Sequence, residues 1–208
     1  MTPGMRIAMS WLAVALCLGA PAAGLGNRAE LGKPAPPLEL RTVEGKPFKL
    51  SDCKGRSVVL EWLNPACPHS AFAHGQGGPL PAMIPSLRAK GVTWISIVSE
   101  SPDRAGGKTE NIRKFVQDHG LKTPVLLDPD GKVGRTYGAS STPHLFVISG
   151  KGVLAYRGAL DNAPLGKVAR GEARVNHVEV ALADLGSGRA VIRAETRPYG
   201  TSIRFAKR

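Results

Sequence analysis

A buried strand that runs directly into a proline-rich turn and a helix start is the feature that most limits how this chain can fold. Residues 57–63 form a nearly continuous apolar run, which is typical of a central strand covered on both faces. The turn at residues 64–66 ends at Cys67, and a helix is predicted to begin at Pro68. The pattern therefore predicts an α/β fold with a cysteine at the first strand-to-helix junction.

Cys67 is a candidate reactive thiol because of this position. A helix start offers unpaired backbone N–H groups and a positive potential, and both stabilise a thiolate. His69 stands two residues further on, where an imidazolium can pair with the sulfur and lower its pKa. The alternative is a buried structural cysteine, which behaves as a small inert hydrophobic residue. The strand-turn-helix context favours the reactive thiol.

The other cysteines do not offer Cys67 a partner within the chain. Ser70 occupies the fourth position of the loop, so the Cys-Pro-His-Ser sequence lacks the second thiol of a Cys-x-x-Cys pair. Cys53 precedes the strand, and an extended strand places it more than roughly 20 Å from Cys67. A disulfide needs Cα atoms within about 7 Å. We therefore predict a monothiol site.

Residues 1–22 are predicted to be an export signal that contains Cys17. Arg6 supplies the positive end, Ile7 to Leu18 supply the apolar segment, and a small-x-small cleavage site ends at Ala22. The apolar run is shorter than the ~20 residues that a membrane-spanning helix needs. We expect a periplasmic or secreted protein with no stable membrane insertion after cleavage.

Residues 23–208 are predicted to form a single domain with a basic C-terminal extension from about residue 186. The formal net charge of the chain is +12. The arginines of the extension are dispersed, without aromatic interleaving or a binding motif, so we predict no nucleic-acid partner and interpret the extension as a solvated surface. No cofactor or metal is predicted.

The rest of the chain alternates between predicted strands and helices. After Cys67, glycines and prolines at 75–85 predict two short helices around a loop. The other predicted helices lie at 109–119, 133–137 and 176–185, and the other predicted strands at 34–40, 46–50, 92–99, 124–127, 143–148 and 153–157.

With these motifs in this order, residues 31–205 resemble a thioredoxin fold of the redoxin branch, which includes alkyl hydroperoxide reductases and secreted thioredoxin-like proteins. The matching stretches are Leu31 to Pro36, Leu50 to Gly55, Leu60 to Trp62, Asn64 to Pro68, Leu127 to Lys132, Ser141 to His144 and Thr196 to Gly200. The resemblance implies a three-layer sandwich with a mixed central sheet flanked by helices.

The resemblance also implies a cis proline at Pro143, next to the reactive sulfur, where the backbone can pair with a substrate peptide. Together with Cys67, the residues expected to carry the chemistry are His69, Asn64 and Pro143. The residues expected to contact substrate are Trp62, Pro68, Thr142 and His144.

Three departures from the pattern bear on function. Related chains carry a cysteine after the C-terminal Pro-Tyr-Gly, whereas this chain has Thr201. Peroxiredoxins carry Thr or Ser three residues before the reactive cysteine and Pro four residues before that. This chain has Asn64 and Leu60 there, so the hydroxyl is missing, although the Asn64 amide is able to hydrogen-bond a peroxide.

Three functions remain open. The favoured one is a monothiol redoxin whose thiolate attacks a protein or small-molecule disulfide, or a sulfenate, and is released by an external thiol. The second is a one-cysteine peroxidase that reduces peroxide and is recycled by a thiol. The third is a non-enzymatic module that binds peptides or copper. Its candidate copper ligands are Cys67, His69, His74, Met83 and His144.

Overall fold

The computed structural model describes Met1 and residues 28–207. The predicted export signal, with Cys17 and the cleavage site after Ala22, therefore lies outside the described residues, apart from Met1. Within the described part, no helix combines the length and apolar character needed to cross a membrane.

A seven-stranded mixed sheet forms the centre of the domain, in the order β2-β1-β5-β4-β3-β7-β8. A separate pair of short strands, β6 and β9, lies outside it. The strands are β1 (Glu39–Thr42), β2 (Pro47–Lys49), β3 (Val58–Trp62), β4 (Thr93–Val98), β5 (Val125–Leu127), β6 (Ser141–Thr142), β7 (His144–Ile148), β8 (Leu154–Gly158) and β9 (Thr201–Ser202).

The pairing places β3 in the interior of the sheet, between β4 and β7. It runs parallel to β4 and antiparallel to β7, and all five of its residues are buried. Parallel strands require a crossover connection, and the chain after β3 supplies it with two helices. Trp62, the last residue of β3, pairs with His144, the first residue of β7. The residues that follow Trp62 therefore lie at the end of the sheet where β7 begins.

Helices cover both faces of the sheet, as the sequence predicts. One face packs against α2 and α5 and, through Phe115, against α3; the other packs against the N-terminal segment and Tyr137. The helices are α1 (Pro68–His74), α2 (Leu80–Ala89), α3 (Thr109–Asp118), α4 (Lys132–Tyr137) and α5 (His177–Gly186). The predicted α/β, thioredoxin-like class is confirmed.

The two short helices predicted after Cys67 are α1 and α2. Pro81 and Pro85 both lie within α2, with Pro81 in its first turn. The predicted helix at 109–119 is α3, which begins at Thr109 after the N-cap residue Lys108.

The C-terminal segment packs back on the domain, while the described arginines of this segment stay exposed to solvent, as the sequence analysis expected. Arg157 of β8 exchanges backbone hydrogen bonds with Ala194 and Thr196. Further on, β9 pairs antiparallel with β6, immediately before Pro143. We call residues 198–205 the C-terminal strap.

Candidate active site

The loop before α1 holds Cys67 by its own polar groups. The Asn64 Oδ1 accepts a hydrogen bond from the Ala66 N–H at 2.8 Å, and the Cys67 N–H donates to the Asn64 carbonyl at 2.9 Å. Cys67 then acts as the N-cap residue of α1, with Pro68 as the first helical residue. The Asn64 Nδ2 donates to Glu100 at 3.3 Å. Asn64 thus positions residues 64–67, which we call the cysteine loop.

Cys67 faces the loop that contains Pro143. The Thr142–Pro143 peptide bond is cis, as the resemblance implied. The Cys67 thiol donates a hydrogen bond to the carbonyl oxygen of Thr142 at 2.9 Å. Only 1% of Cys67 is exposed to solvent. The sulfur is therefore shielded from solvent and lies against the backbone next to the cis proline.

The environment of the sulfur favours its ionised form. Burial has the largest single effect and raises the pKa of Cys67, but hydrogen bonds from the side chains of Thr142 and Thr201 and from nearby backbone together outweigh it. The backbone N–H groups of Ser70 and Thr201 act in the same direction, so the pKa of Cys67 lies below its ordinary value. A thiolate has no hydrogen to donate to the Thr142 carbonyl oxygen, so on ionisation the sulfur becomes an acceptor for these donors.

The C-terminal strap supplies part of this environment. Thr201 and Ser202 pair with Thr142 and Ser141, and the Thr142 hydroxyl donates to the carbonyl oxygen of Thr201 at 3.3 Å. The Ile203 N–H adds a bond to the Ser140 carbonyl. The sequence analysis noted only that Thr201 stands where related chains carry a cysteine. The structure places Thr201 close enough to Cys67 to lower its pKa.

Buried carboxylates hold the strap at both ends. On one side the Tyr199 hydroxyl donates to Asp161 Oδ1 at 2.7 Å, and Arg174 Nη2 donates to Asp161 Oδ2 at 3.0 Å. On the other side the Arg204 N–H donates to Glu100 Oε2 at 3.1 Å, the same oxygen that accepts from Asn64. Glu100 therefore joins the strap to the cysteine loop.

Two polar atoms near Cys67 are buried without a hydrogen-bond partner among the described residues. They are His69 Nδ1 and Ser141 Oγ. The His69 ring packs beside Tyr199, with 5.6 Å between the ring centroids. The predicted effect of the His69 imidazolium on the thiolate stays a prediction, since the hydrogen bonds that lower the pKa of Cys67 come from other residues.

The four residues predicted to contact substrate lie in different environments. Pro68 is exposed beside Cys67, and Thr142 is in direct contact with the sulfur. Trp62 is fully buried in the core, where its ring packs on Tyr137 and Phe146, so the structure lends its predicted contact with substrate no support. The alternating direction of strand side chains turns Trp62 into the core.

His144 neither faces solvent nor contacts the thiol directly. It is buried behind Pro143, stacks on Phe146 at 4.5 Å between centroids, and its Nδ1 accepts from the Ser140 N–H at 3.3 Å. Burial, with a smaller effect of Arg157, lowers the pKa of His144 to about 4. The ring is neutral at physiological pH, and its predicted contact with substrate is not supported.

The structure does not assemble the copper ligands that the sequence left open. His74 binds Glu61, and Met83 Sδ accepts a hydrogen bond from Asn176. Among the described residues, no group of three or more His, Cys, Asp or Glu side chains is arranged to hold a metal ion. The dispersal of His74, Met83 and His144 removes the support for this alternative.

A buried acidic network that the sequence analysis missed supports the helix that begins at Cys67. Glu61 Oε1 lies 2.8 Å from Nε2 of His74, the last residue of α1, and Oε2 accepts from Trp94 and Ser96. Burial raises the pKa of Glu61, but His74 and the other donors lower it below its ordinary value. A glutamate inside an otherwise apolar strand was the available signal, because buried acids are rare unless paired.

The prediction that Cys53 and Cys67 cannot bridge is confirmed. Both are free, and Cys53 is buried in the short turn before β3, at the opposite end of that strand from Cys67. Burial raises the pKa of Cys53. The described part of the chain therefore offers Cys67 no second thiol.

Comparison with known proteins identifies the family. The sequence profile of the AhpC/TSA family matches residues 31–157, more than half of the chain. The chain belongs to this redoxin family. The match includes the Cys67 loop and Pro143, and it ends before the C-terminal strap, which begins at residue 198.

Relatives of this redoxin include thiol-disulfide oxidoreductases. It is 30% identical to the thiol-disulfide oxidoreductase ResA of Bacillus thuringiensis subsp. konkukian over 130 residues, 61% of this chain and 68% of that protein. It is 27% identical to the thioredoxin-like protein YneN of Bacillus subtilis over 123 residues, 59% of this chain and 68% of the relative.

Solved structures agree on the fold. An uncharacterized conserved protein from Geobacillus kaustophilus superposes with a TM-score of 0.75 at 27% identity, covering 92% of this redoxin and all of that chain. A putative thiol:disulfide interchange protein DsbE from Chlorobium tepidum has a TM-score of 0.52 at 25% identity. The match covers 62% of this redoxin and 84% of that chain.

Proposed function

We propose that this redoxin is a monothiol oxidoreductase that exchanges disulfides through Cys67. The observation that carries the proposal is the set of hydrogen bonds around the sulfur, which lowers the pKa of Cys67 despite its burial. Disulfide exchange proceeds through the thiolate, so a lowered pKa supplies the reactive form near neutral pH. The relatives named thiol-disulfide oxidoreductases support the same class of reaction.

The reaction has two steps. The Cys67 thiolate attacks one sulfur of a disulfide, forms a mixed disulfide, and releases the other half as a thiolate. With Ser70 in place of a second cysteine, an external thiolate attacks the mixed disulfide next. That attack frees the Cys67 thiolate and forms a disulfide between the external thiol and the half that Cys67 had bound, so electrons balance over the cycle.

Peroxide reduction fits the site less well. The Asn64 amide, the group that the sequence analysis offered to a peroxide, donates one hydrogen to Glu100 and holds the cysteine loop through Oδ1. Its contacts fit a positioning role for the loop. We also propose that the protein is exported by residues 1–22, so that Cys67 meets disulfides in an oxidising compartment.

The proposal is tested by trapping the mixed disulfide. The full chain is incubated with glutathione disulfide, and the adduct at Cys67 is quantified by mass spectrometry before and after addition of a thiol. We expect an adduct that forms in wild type and in Cys53→Ser, is absent in Cys67→Ser, and is released by the thiol. Failure to form the adduct, or rapid catalytic consumption of hydrogen peroxide instead, would contradict the proposal.

A further inference from the structure

The C-terminal strap lies where a substrate chain would bind. In thioredoxin folds an extended peptide can pair with the backbone that precedes the cis proline. In this redoxin β9 already forms that pairing, with Thr201 opposite Thr142 and Ser202 opposite Ser141. The edge of β6 is therefore occupied by the protein's own chain.

The contact between the strap and the cis-proline loop is too close to admit another chain. A Cβ added to Gly200 would lie 2.0 Å from the Thr142 carbonyl oxygen and 3.4 Å from Pro143. Gly200 also has a φ of 109°, which side chains other than glycine rarely adopt. Glycine at this position lets the strap backbone lie directly against Thr142.

The anchors make displacement of the whole strap costly. Tyr199 is bonded to Asp161 and Arg204 to Glu100, and both carboxylates are buried. Buried acceptors that lose a partner carry the full cost of their desolvation. A polypeptide substrate would have to break both anchors to lie along β6.

The stretch between the anchors is short and exposed. Thr201 and Ser202 are exposed to solvent, whereas Cys67 beneath them is not. An opening confined to these two residues would expose the sulfur while Tyr199 and Arg204 stay bound. Such an opening admits a small molecule, and an extended chain does not fit between the two anchors.

We propose that the C-terminal strap is the specificity-determining element of the Cys67 site and restricts it to low-molecular-weight disulfides. The inference rests on the proposed function, since it names the substrate class for the same thiolate. Cys67 attacks a sulfur of the small disulfide, releases the other half as a thiolate, and is regenerated by an external thiol. Polypeptide disulfides are excluded while Tyr199 and Arg204 stay bound to their carboxylates.

The test compares two substrates in the full chain. Glutathione disulfide is the small probe, and a disulfide-linked dimer of an unstructured cysteine peptide is the large one. The rates of mixed-disulfide formation at Cys67 are measured for both by mass spectrometry. Their ratio reports access, because a change in the intrinsic reactivity of the thiolate affects both rates equally.

Two variants loosen the strap by different means. Gly200→Ala places a methyl group against the Thr142 carbonyl, and Tyr199→Phe removes the anchor to Asp161 while keeping the ring. Gly188→Ala is the matched control, because Gly188 also has a positive φ but has nothing within 4 Å of an added Cβ. Near-ultraviolet circular dichroism checks that each variant is folded.

We expect wild type and Gly188→Ala to react much faster with glutathione disulfide than with the peptide. Gly200→Ala and Tyr199→Phe should raise the relative rate with the peptide by about tenfold, the factor that loss of one or two hydrogen bonds provides. An unchanged ratio in a folded loosened variant, or a wild type that reacts equally with both probes, would overturn this inference alone. No adduct with either probe in any variant would overturn the proposed function as well.

Discussion

The Cys67 thiol donates a 2.9 Å hydrogen bond to the Thr142 carbonyl oxygen, which lies 75 positions further along the chain. The Thr142 hydroxyl in turn donates to the Thr201 carbonyl oxygen. One residue thus connects the sulfur to the strap. Thr201 of the strap supplies a hydroxyl and an N–H that lower the pKa of Cys67, so ionisation of the thiol and closure of the strap favour one another.

Thr201→Val should raise the pKa of Cys67, because the substitution keeps the side-chain shape and removes a hydroxyl that hydrogen-bonds the sulfur. A hydrogen bond to a charged group contributes about 1.5 kcal/mol or more, so alkylation at neutral pH should slow by roughly tenfold. The rate of iodoacetamide reaction against pH measures both effects. Ser202→Ala, which changes only an exposed neighbour in β9, should behave as wild type. Equal profiles for Thr201→Val and wild type would show that the Thr201 hydroxyl does not stabilise the thiolate.

His69→Ala should also raise the pKa of Cys67 if the imidazolium stabilises the thiolate, as the sequence predicts. The ultraviolet absorbance of the thiolate, followed against pH, measures the change without a second reagent. The contact with Tyr199 makes a matched variant necessary, since loss of the ring also affects the strap. His69→Phe keeps an aromatic ring there, and it should raise the pKa as much as His69→Ala does. A titration unchanged in both variants would assign His69 to packing alone.

Ser70→Cys should convert the monothiol site into a dithiol site. The Ser70 N–H bonds the Cys67 sulfur, and the first and fourth positions of a helix start bring two sulfurs within bonding reach. The variant should form an internal disulfide and shorten the lifetime of the mixed disulfide in the absence of external thiol. The mixed disulfide is formed with glutathione disulfide, and its lifetime is followed by mass spectrometry after free glutathione has been removed. Cys53→Ser serves as the control and should leave it unchanged, and equal lifetimes in wild type and Ser70→Cys would contradict the geometry.

Stability should fall on acidification because of His144. Burial lowers the pKa of His144 to about 4 from 6.5, so between these values the unfolded chain binds a proton that the folded chain does not. Stability is therefore full above about pH 6.5 and decreases as the pH falls towards 4, by up to about 3 kcal/mol. Urea unfolding at pH 7 and pH 5 measures the change.

His144→Asn should reduce this pH dependence, because asparagine does not titrate and its oxygen can accept the Ser140 N–H. His177, whose pKa burial also lowers, leaves a residual slope in the variant. A variant with the full wild-type slope would show that His144 does not contribute to the acid response.

His74→Phe should destabilise the protein by roughly 3 kcal/mol or more, because it leaves the buried Glu61 carboxylate without the ring nitrogen that bonds Oε1. Adding Glu61→Gln should recover part of this loss, since the neutral amide has a smaller desolvation cost. Urea unfolding of both single variants and the double variant gives the coupling energy. Additive effects of the two substitutions would show that Glu61 and His74 do not interact.

Much of the architecture is readable from short stretches of sequence. The apolar run that ends at Leu63, the turn at 64–66 and the proline after Cys67 act within a few residues of one another. Such signals depend on local backbone preferences and on side-chain periodicity. The order of strands and helices, the position of Cys67 and the isolation of Cys53 were predicted correctly for this reason.

Side-chain environments were predicted less well. Trp62 was expected to contact substrate, but its side chain lies in the core. His144 was also expected to contact substrate, and it is buried. Which face a strand residue occupies, and what covers that face, depends on packing that the neighbouring residues do not encode.

The sequence by itself determined the thioredoxin-like class, the single thiol in the loop and the absence of a second cysteine beside it. Only the tertiary structure decided that Tyr199 and Thr201 close over that thiol. Their partners, Asp161 and Thr142, are distant along the chain, and β9 is too short to show a periodic pattern. Contacts of this kind form only when the whole chain folds, because their energy comes from pairing and desolvation between segments that are separate in sequence.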